Sequence, residues 1–196
     1  LAGGGADDIL IGGADTDQAN YQGAPLEYNY SFENGAVRIS DTVVSRDESD
    51  LLASIEKLNF ATGGIYNLAA GTNDPDTVPS TSGNDLILGF DGDDTLLGSD
   101  GSDIIIGGVG GNTVSYTSAT GAVNIDLSAR TTSKFFGTFG TDSLRDIQNA
   151  TGSPNGDTLS GDMLPNILNG GFGNDTLFGR EDGDTLNGGD DNDTLF

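Results

Sequence analysis

A nine-residue period constrains this chain more than any other feature. Gly170 to Phe178 reads GGFGNDTLF, and Gly188 to Phe196 reads GGDDNDTLF. In one register eleven copies align, beginning at Gly3, Gly12, Ser80, Gly89, Gly98, Gly107, Gly152, Gly161, Gly170, Gly179 and Gly188. Position 6 is Asp8, Asp17, Asp85, Asp94, Asp103, Asn112, Asp157, Asn166, Asp175, Asp184 or Asp193. Position 8 is apolar in every copy, from Leu10 and Ala19 to Leu186 and Leu195. Asp and Asn make up about a fifth of the chain. Agreement at one place in eleven copies is therefore not chance.

Nine residues of this kind can do one thing well. The run around position 8 is three residues of strand with the apolar side chain inward. The six residues before it must reverse the chain, and glycine reaches the positive-φ conformations such turns need. Two nonapeptides then make an 18-residue coil of two strands and two turns. Coils stack at a strand spacing of about 4.8 Å. Stacking places identical Asp side chains a few ångströms apart, and like charges so placed repel unless a cation lies between the layers.

Composition points the same way. Of 31 acidic residues only Glu27, Glu33, Glu48, Glu56 and Glu181 are Glu, and the net charge is −24 with 34% hydrophobic residues. Such a chain is close to the disordered class when bare. A positively charged partner is expected, and nucleic acid has the wrong sign. Oxygen-only ligands favour Ca²⁺ over Zn²⁺.

The repeats resemble the RTX (repeats-in-toxin) calcium-binding family, whose nonapeptide reads G-G-x-G-x-D-x-U-x with U apolar. The resemblance implies an all-β fold: parallel β-roll (β-solenoid) arrays with two β-rich spacer insertions. It implies that each Ca²⁺ sits between turn n and turn n+2, held by both position-6 side chains and by backbone carbonyls of positions 1 to 4. The implied pairs are Asp85 with Asp103, Asp94 with Asn112, Asp157 with Asp175, Asn166 with Asp184, and Asp175 with Asp193. The implied carbonyl donors are Thr81, Gly83, Phe90, Gly92, Gly98, Asp100, Gly107, Val109, Ser153, Asn155, Asp162 and Leu164 in the earlier turns. In the later turns they are Gly170, Gly171, Phe172, Gly173, Gly179, Glu181, Gly188 and Asp190. Asp8 and Asp17 lie on opposite sides of one coil and need upstream repeats, or the second array, to complete a site. Four to eight Ca²⁺ per chain are expected.

Departures from the consensus bear on individual sites. Leu164 stands where Gly is expected at position 4, with Pro165 after it. Leucine is costly in a left-handed conformation, which makes the Asn166 site the weakest. Asn155, Asp182 and Asp191 at position 4 are milder. Asn112 and Asn166 supply neutral ligands in place of charged ones.

The chain divides into residues 1–20 (the end of an upstream array), 21–78 (a spacer), 79–115 (an array), 116–151 (a related spacer) and 152–196 (an array). Leu1 falls inside a repeat and Phe196 at the end of one, so the chain reads as a piece of something larger. Both spacers carry GAVxI (Val37, Ile39; Val123, Ile125) and D-x-L-x-x-I (Asp50, Leu52, Ile55; Asp142, Leu144, Ile147). In the first, alternating Tyr28, Tyr30 and Phe32 followed by Asn34-Gly35 mark a β-hairpin. A short helix is weakly signalled over Glu48 to Lys57. Both spacers are expected to cover the roll, and Asp41, Asp47, Asp126 and Asp146 read as solvated acids.

No His or Cys is present, which removes Ser–His, Cys–His and zinc-hydrolase chemistry. A glycosidase-type carboxylate pair stays open, but the expectation is no enzyme within these residues. An EF-hand at Asp91-Gly92-Asp93-Asp94 fails because Thr95 and Ser102 stand where ligands five and twelve belong. Adhesion or polysaccharide binding through Tyr21, Tyr28, Tyr30, Phe135, Phe136 or Phe139 is the alternative function. A supporting region of a secreted protease, lipase, peroxidase or alginate epimerase is another. Ice binding through a position-3 Thr row is discounted, since Ser82, Asp91, Asp100, Val109, Pro154, Met163, Phe172, Glu181 and Asp190 stand there. No apolar stretch reaches the ~18 residues of a membrane span. The family resemblance implies type I secretion from a Gram-negative cell and folding outside it. Extracellular calcium modules bind near ~10⁻⁴ M. At millimolar Ca²⁺ each site then adds about 1.4 to 2.7 kcal/mol, so four or five together rival the ~5–15 kcal/mol of a whole domain.

Overall fold

A computed structural model describes residues 1, 7–43, 46–134 and 140–196. The first copies form β1 (Ile9–Ile11) and β2 (Gln18–Tyr21). After a 3₁₀ turn at Pro25–Glu27 come β3 (Tyr28–Glu33), β4 (Ala36–Asp41), β5 (Ser49–Ala53), β6 (Lys57–Phe60) and β7 (Gly64–Ala70). The middle array gives β8 (Thr77–Val78), β9 (Asp85–Asp91), β10 (Thr95–Leu97), β11 (Ile104–Val109) and β12 (Thr113–Ser115). The second spacer gives β13 (Val123–Asp126), β14 (Thr131–Lys134), β15 (Thr141–Arg145) and β16 (Asn149–Thr151). The last array gives β17 (Thr158–Ser160), β18 (Ile167–Gly171), β19 (Thr176–Phe178), β20 (Thr185–Gly189) and β21 (Thr194–Leu195). No helix among the described residues is long and apolar enough to cross a membrane.

Array strands alternate between two parallel stacks, and partners stand 18 residues apart: Ile87 opposite Ile105, Leu96 opposite Val114, Leu159 opposite Leu177, Leu168 opposite Leu186. Two nonapeptides thus make one coil of a β-roll. Position 8 points between the sheets, where Ile87, Leu96, Ile105, Val114, Leu159, Leu168 and Leu177 are fully buried in one cluster. Each such aliphatic side chain contributes about 1.5–3 kcal/mol, the main apolar stabilisation of a coil this thin.

The two spacers share a topology. In each, the chain lays a strand ahead (β3, β13), returns antiparallel (β4, β14), and then pairs parallel with the preceding array strand. The orders are β1-β5-β4-β3 and β11-β15-β14-β13. The D-x-L-x-x-I match is structural: Leu52 lies opposite Leu10 and Leu144 opposite Ile105, with Ile55 and Ile147 buried. The GAVxI match is not. Val37 and Ile39 lie on β4, whereas Val123 and Ile125 lie on β13. Asn34 and Gly35, at φ 53° and 81°, form the expected hairpin turn. The helix signalled over Glu48–Lys57 is absent. Alternate residues of β5 face in and out, and Glu48 and Ser54 take φ of 56° and 54°, which breaks helical continuation.

The spacers differ in what they cover. The first packs Tyr28, Ile39, Phe60 and Tyr66 against Leu86, Leu88, Phe90, Ile104 and Ile106, the outer faces of β9 and β11. Those strands are buried on both faces, and their sequences, Leu86-Ile87-Leu88 and Ile104-Ile105-Ile106, are apolar throughout as such strands require. The second spacer does not lie over the roll. It enters the eleven-stranded sheet, with β14 antiparallel to both of its neighbours and β13 pairing onward to β17.

Candidate metal centre: stacked turn carboxylates

Position 1 is glycine because the position-6 side chain folds back onto it. A Cβ on Gly89 would stand 2.5 Å from Asp94 Oδ2, and those on Gly152, Gly170 and Gly188 would come closer still to Asp157, Asp175 and Asp193. The carboxylate is pressed across its own turn, with room for hydrogen alone.

From there the side chains form columns. The position-6 N–H of one coil donates to the position-6 side chain of the next. Asp85 donates to Asp103 Oδ1 at 3.0 Å and Asp94 to Asn112 Oδ1 at 3.0 Å. Asp157 donates to Asp175 Oδ1 at 2.7 Å, Asn166 to Asp184 Oδ1 at 2.9 Å, and Asp175 to Asp193 Oδ1 at 2.9 Å. All five pairs named from the sequence are therefore neighbours, each with one side-chain oxygen used to hold register.

Asp8 and Asp17 are completed differently from the sequence expectation. Their N–H groups donate to Asp50 Oδ1 at 3.2 Å and Glu56 Oε2 at 2.9 Å, residues of the first spacer. In the second spacer Asp142 and Gln148 do the same for Asp103 and Asn112, at 2.9 and 2.8 Å. The register count also passed over two copies. Gly71, Asp76 and Val78 occupy positions 1, 6 and 8, with Asp76 N–H donating to Asp94 Oδ1 at 2.9 Å and Val78 opposite Leu96. The run GTFGTDSLR, 137–145, puts Asp142 and Leu144 at positions 6 and 8. Counting back nine residues from Ser80, and back from Asp142, would have found both.

The turns fall into two kinds. In one, position 2 has positive φ: Phe90, Gly108, Gly171, Arg180 and Gly189. In the other, the position-2 N–H donates to its own position-6 side chain. Thr72 reaches Asp76 at 2.7 Å, Thr81 reaches Asp85 at 3.1 Å, and Asp162 reaches Asn166 at 2.8 Å. Those turns quiet their own carboxylate. The first kind does not: among the described residues Asp94 Oδ2 and Asp175 Oδ2 are buried without any partner. A buried carboxylate oxygen left so is costly, and a cation in the layer removes the cost. Among the described residues no three acidic side chains cluster on one point. The donor set is two side chains per layer plus turn carbonyls, which suits the flexible all-oxygen shell of Ca²⁺.

Several sequence expectations change here. Leu164 does not take the left-handed conformation, since its φ is not positive. Pro165 restricts it to extended backbone, and its N–H donates to Asp162 Oδ1 at 2.8 Å. The strain expected at the Asn166 layer is absent. Asp182 and Asp191 do take positive φ, while Asn155 does not. Asp41 and Asp47 are not solvated acids: the half-buried Asp41 pairs with Arg46 at 2.6 Å, and the buried Asp47 accepts from Tyr28 and Gln22. Asp126 and Asp146 face Arg180 and Arg145 near the surface. Tyr21 and Tyr28 are core residues and Tyr30 packs against them, so none is an exposed binding platform. Phe135, Phe136 and Phe139 lie outside the described residues.

Burial raises the carboxyls of Asp94, Asp103, Asp157 and Asp175. Asp175 is pushed up to about 6 by desolvation and by Asp157, Asp193 and Asp191; Asp103 goes to about 7 by desolvation and Asp142, with Lys134 opposing. Asp94 and Asp157 move the same way, burial first. The folded, metal-free chain thus holds protons that the unfolded chain, at its ordinary 3.8, has released. Stability falls as pH rises through that window. In chelator the β signal in far-UV circular dichroism, lost at pH 7.5, is expected to recover in part as pH is lowered to 5. Glu33, held low by Arg38, weakens the fold only below its ordinary value. A β signal that is level or falling over this range would contradict the assignment.

A parallel roll whose turns stack carboxylates in columns defines a cation-binding β-solenoid. The family model of the RTX calcium-binding nonapeptide repeat matches it in four copies, over residues 1–19, 71–114 and 160–195, and the chain belongs to that family. No curated protein matches the chain.

Proposed function

We propose that the chain is a calcium-dependent folding module of a protein exported by type I secretion from a Gram-negative cell and folded outside it. The observation that carries the calcium dependence is the pair of buried oxygens without a partner among the described residues, Asp94 Oδ2 and Asp175 Oδ2, each in a column of stacked side chains; export by type I secretion is what the family resemblance adds. With −24 charge and so thin an apolar core, the fold depends on counter-charge brought into the layers. The family's calcium, when bound, supplies that charge. Asp85, Asp94, Asp103, Asp157, Asp175, Asp184 and Asp193 would hold it, with carbonyls of their turns. The reading gives this chain no catalytic role, in keeping with its lack of His and Cys.

Calorimetric titration tests it. Between four and eight Ca²⁺ per chain are expected, with Mg²⁺ a poor substitute because it demands rigid octahedral geometry. Fewer than two ions, or equal binding of Mg²⁺, would overturn the reading.

A further inference from the structure

We propose that Lys134 is a tethered substitute for calcium, its ammonium filling the cation position of the layer between Asp103 and Asp142. This rests on the calcium reading of the columns. Lys134 Nζ lies 2.7 Å from Asp142 Oδ1, 3.4 Å from Asp103 Oδ2 and 2.5 Å from the carbonyl oxygen of Ser99. Asp103 and Asp142 are consecutive position-6 residues of one column, and Ser99 is position 2 of the Asp103 turn. Two stacked carboxylates and a turn carbonyl are the donor types assigned to the ion elsewhere. The lysine side chain is 4% exposed and both carboxylates are fully enclosed, so the ammonium is held in the layer rather than at its rim.

The rest of the chain supplies the comparison. The first spacer has the same strand order, with Ser40 opposite Ser49 where the second has Ser133 opposite Thr141. One residue further on, β4 carries Asp41 and β14 carries Lys134. In the column with the lysine, Asp103 and Asp142 leave no buried oxygen without a partner. Tyr116 completes the enclosure, donating to Asp142 Oδ2 with its ring against Gly98. An ammonium on a covalent tether does not depend on the calcium concentration. It holds β15 against β11 where the inserted strands interrupt the 18-residue rhythm.

Calorimetric calcium titration of the wild-type chain and of Lys134→Met tests this. Methionine keeps the apolar stem and removes the charge. The variant is expected to bind one more Ca²⁺ per chain than wild type, and equal stoichiometry overturns the proposal. Should the variant not fold, the wild-type chain decides alone. Its two lysines, Lys57 and Lys134, are reductively methylated with ¹³C-formaldehyde at saturating Ca²⁺. Lys134 is expected to stay protected while Lys57 reacts; a Lys134 as reactive as Lys57 means that calcium expels it, and the proposal fails. Absence of calcium uptake by either protein would instead overturn the calcium reading of the arrays.

Discussion

Removing calcium is expected to unfold the arrays. In excess chelator at pH 7.5 the far-UV circular dichroism should lose its β signature, and millimolar Ca²⁺ should restore it. The position-8 side chains form a single file between two sheets, so each coil adds little more than one buried aliphatic residue per strand. Against that stands the conformational entropy of eighteen residues per coil, at roughly 1–2 kcal/mol each, and the repulsion of stacked carboxylates. Backbone ladders and the first spacer's aromatic cluster around Tyr28 and Phe60 offset part of this. The calcium term, about 1.4 to 2.7 kcal/mol per site at millimolar ion, then decides between folded and unfolded. The middle array, whose β9 and β11 are covered on both faces, should be the last part to melt. A spectrum unchanged by millimolar Ca²⁺ would show that the apolar core suffices.

Asp175→Ala should raise the calcium concentration for half-folding several-fold, whereas Asp190→Ala should leave it nearly unchanged. The two substitutions remove the same charge. Asp175 is buried, accepts from Asp157 N–H and stands below Asp193, so its loss opens two layers. Losing two sites forfeits about 3 to 5 kcal/mol at millimolar Ca²⁺. Asp190 is exposed at position 3, where the backbone carbonyl is the assigned donor. Equal shifts for the two variants would mean that the chain responds to net charge and not to the columns.

The period of nine was enough to read the repeat itself: glycine at position 1, carboxylate at 6, aliphatic at 8, and partners 18 residues apart. These relations follow from covalent spacing, since a turn of fixed length brings position 6 back onto position 1 whatever surrounds it. Gly170 and Asp175 make that contact within one turn. The same logic made the Asn34-Gly35 hairpin legible, because its turn type is local.

What tertiary structure alone decided lies where strands pair across long separations. Asp50, Glu56, Asp142 and Gln148 look like ordinary spacer residues, yet they extend the columns of Asp8, Asp17, Asp103 and Asn112. Lys134 meets Asp103 across 31 residues, a distance no periodicity records. Leu164 looked strained because the consensus turn was assumed, and Pro165 with Asp162 supplied another. The repeat thus specified the coil, while sheet order specified which spacer residues enter it. A local turn is fixed by its own φ and ψ angles, whereas a strand's neighbour is fixed by everything else that needs to be buried.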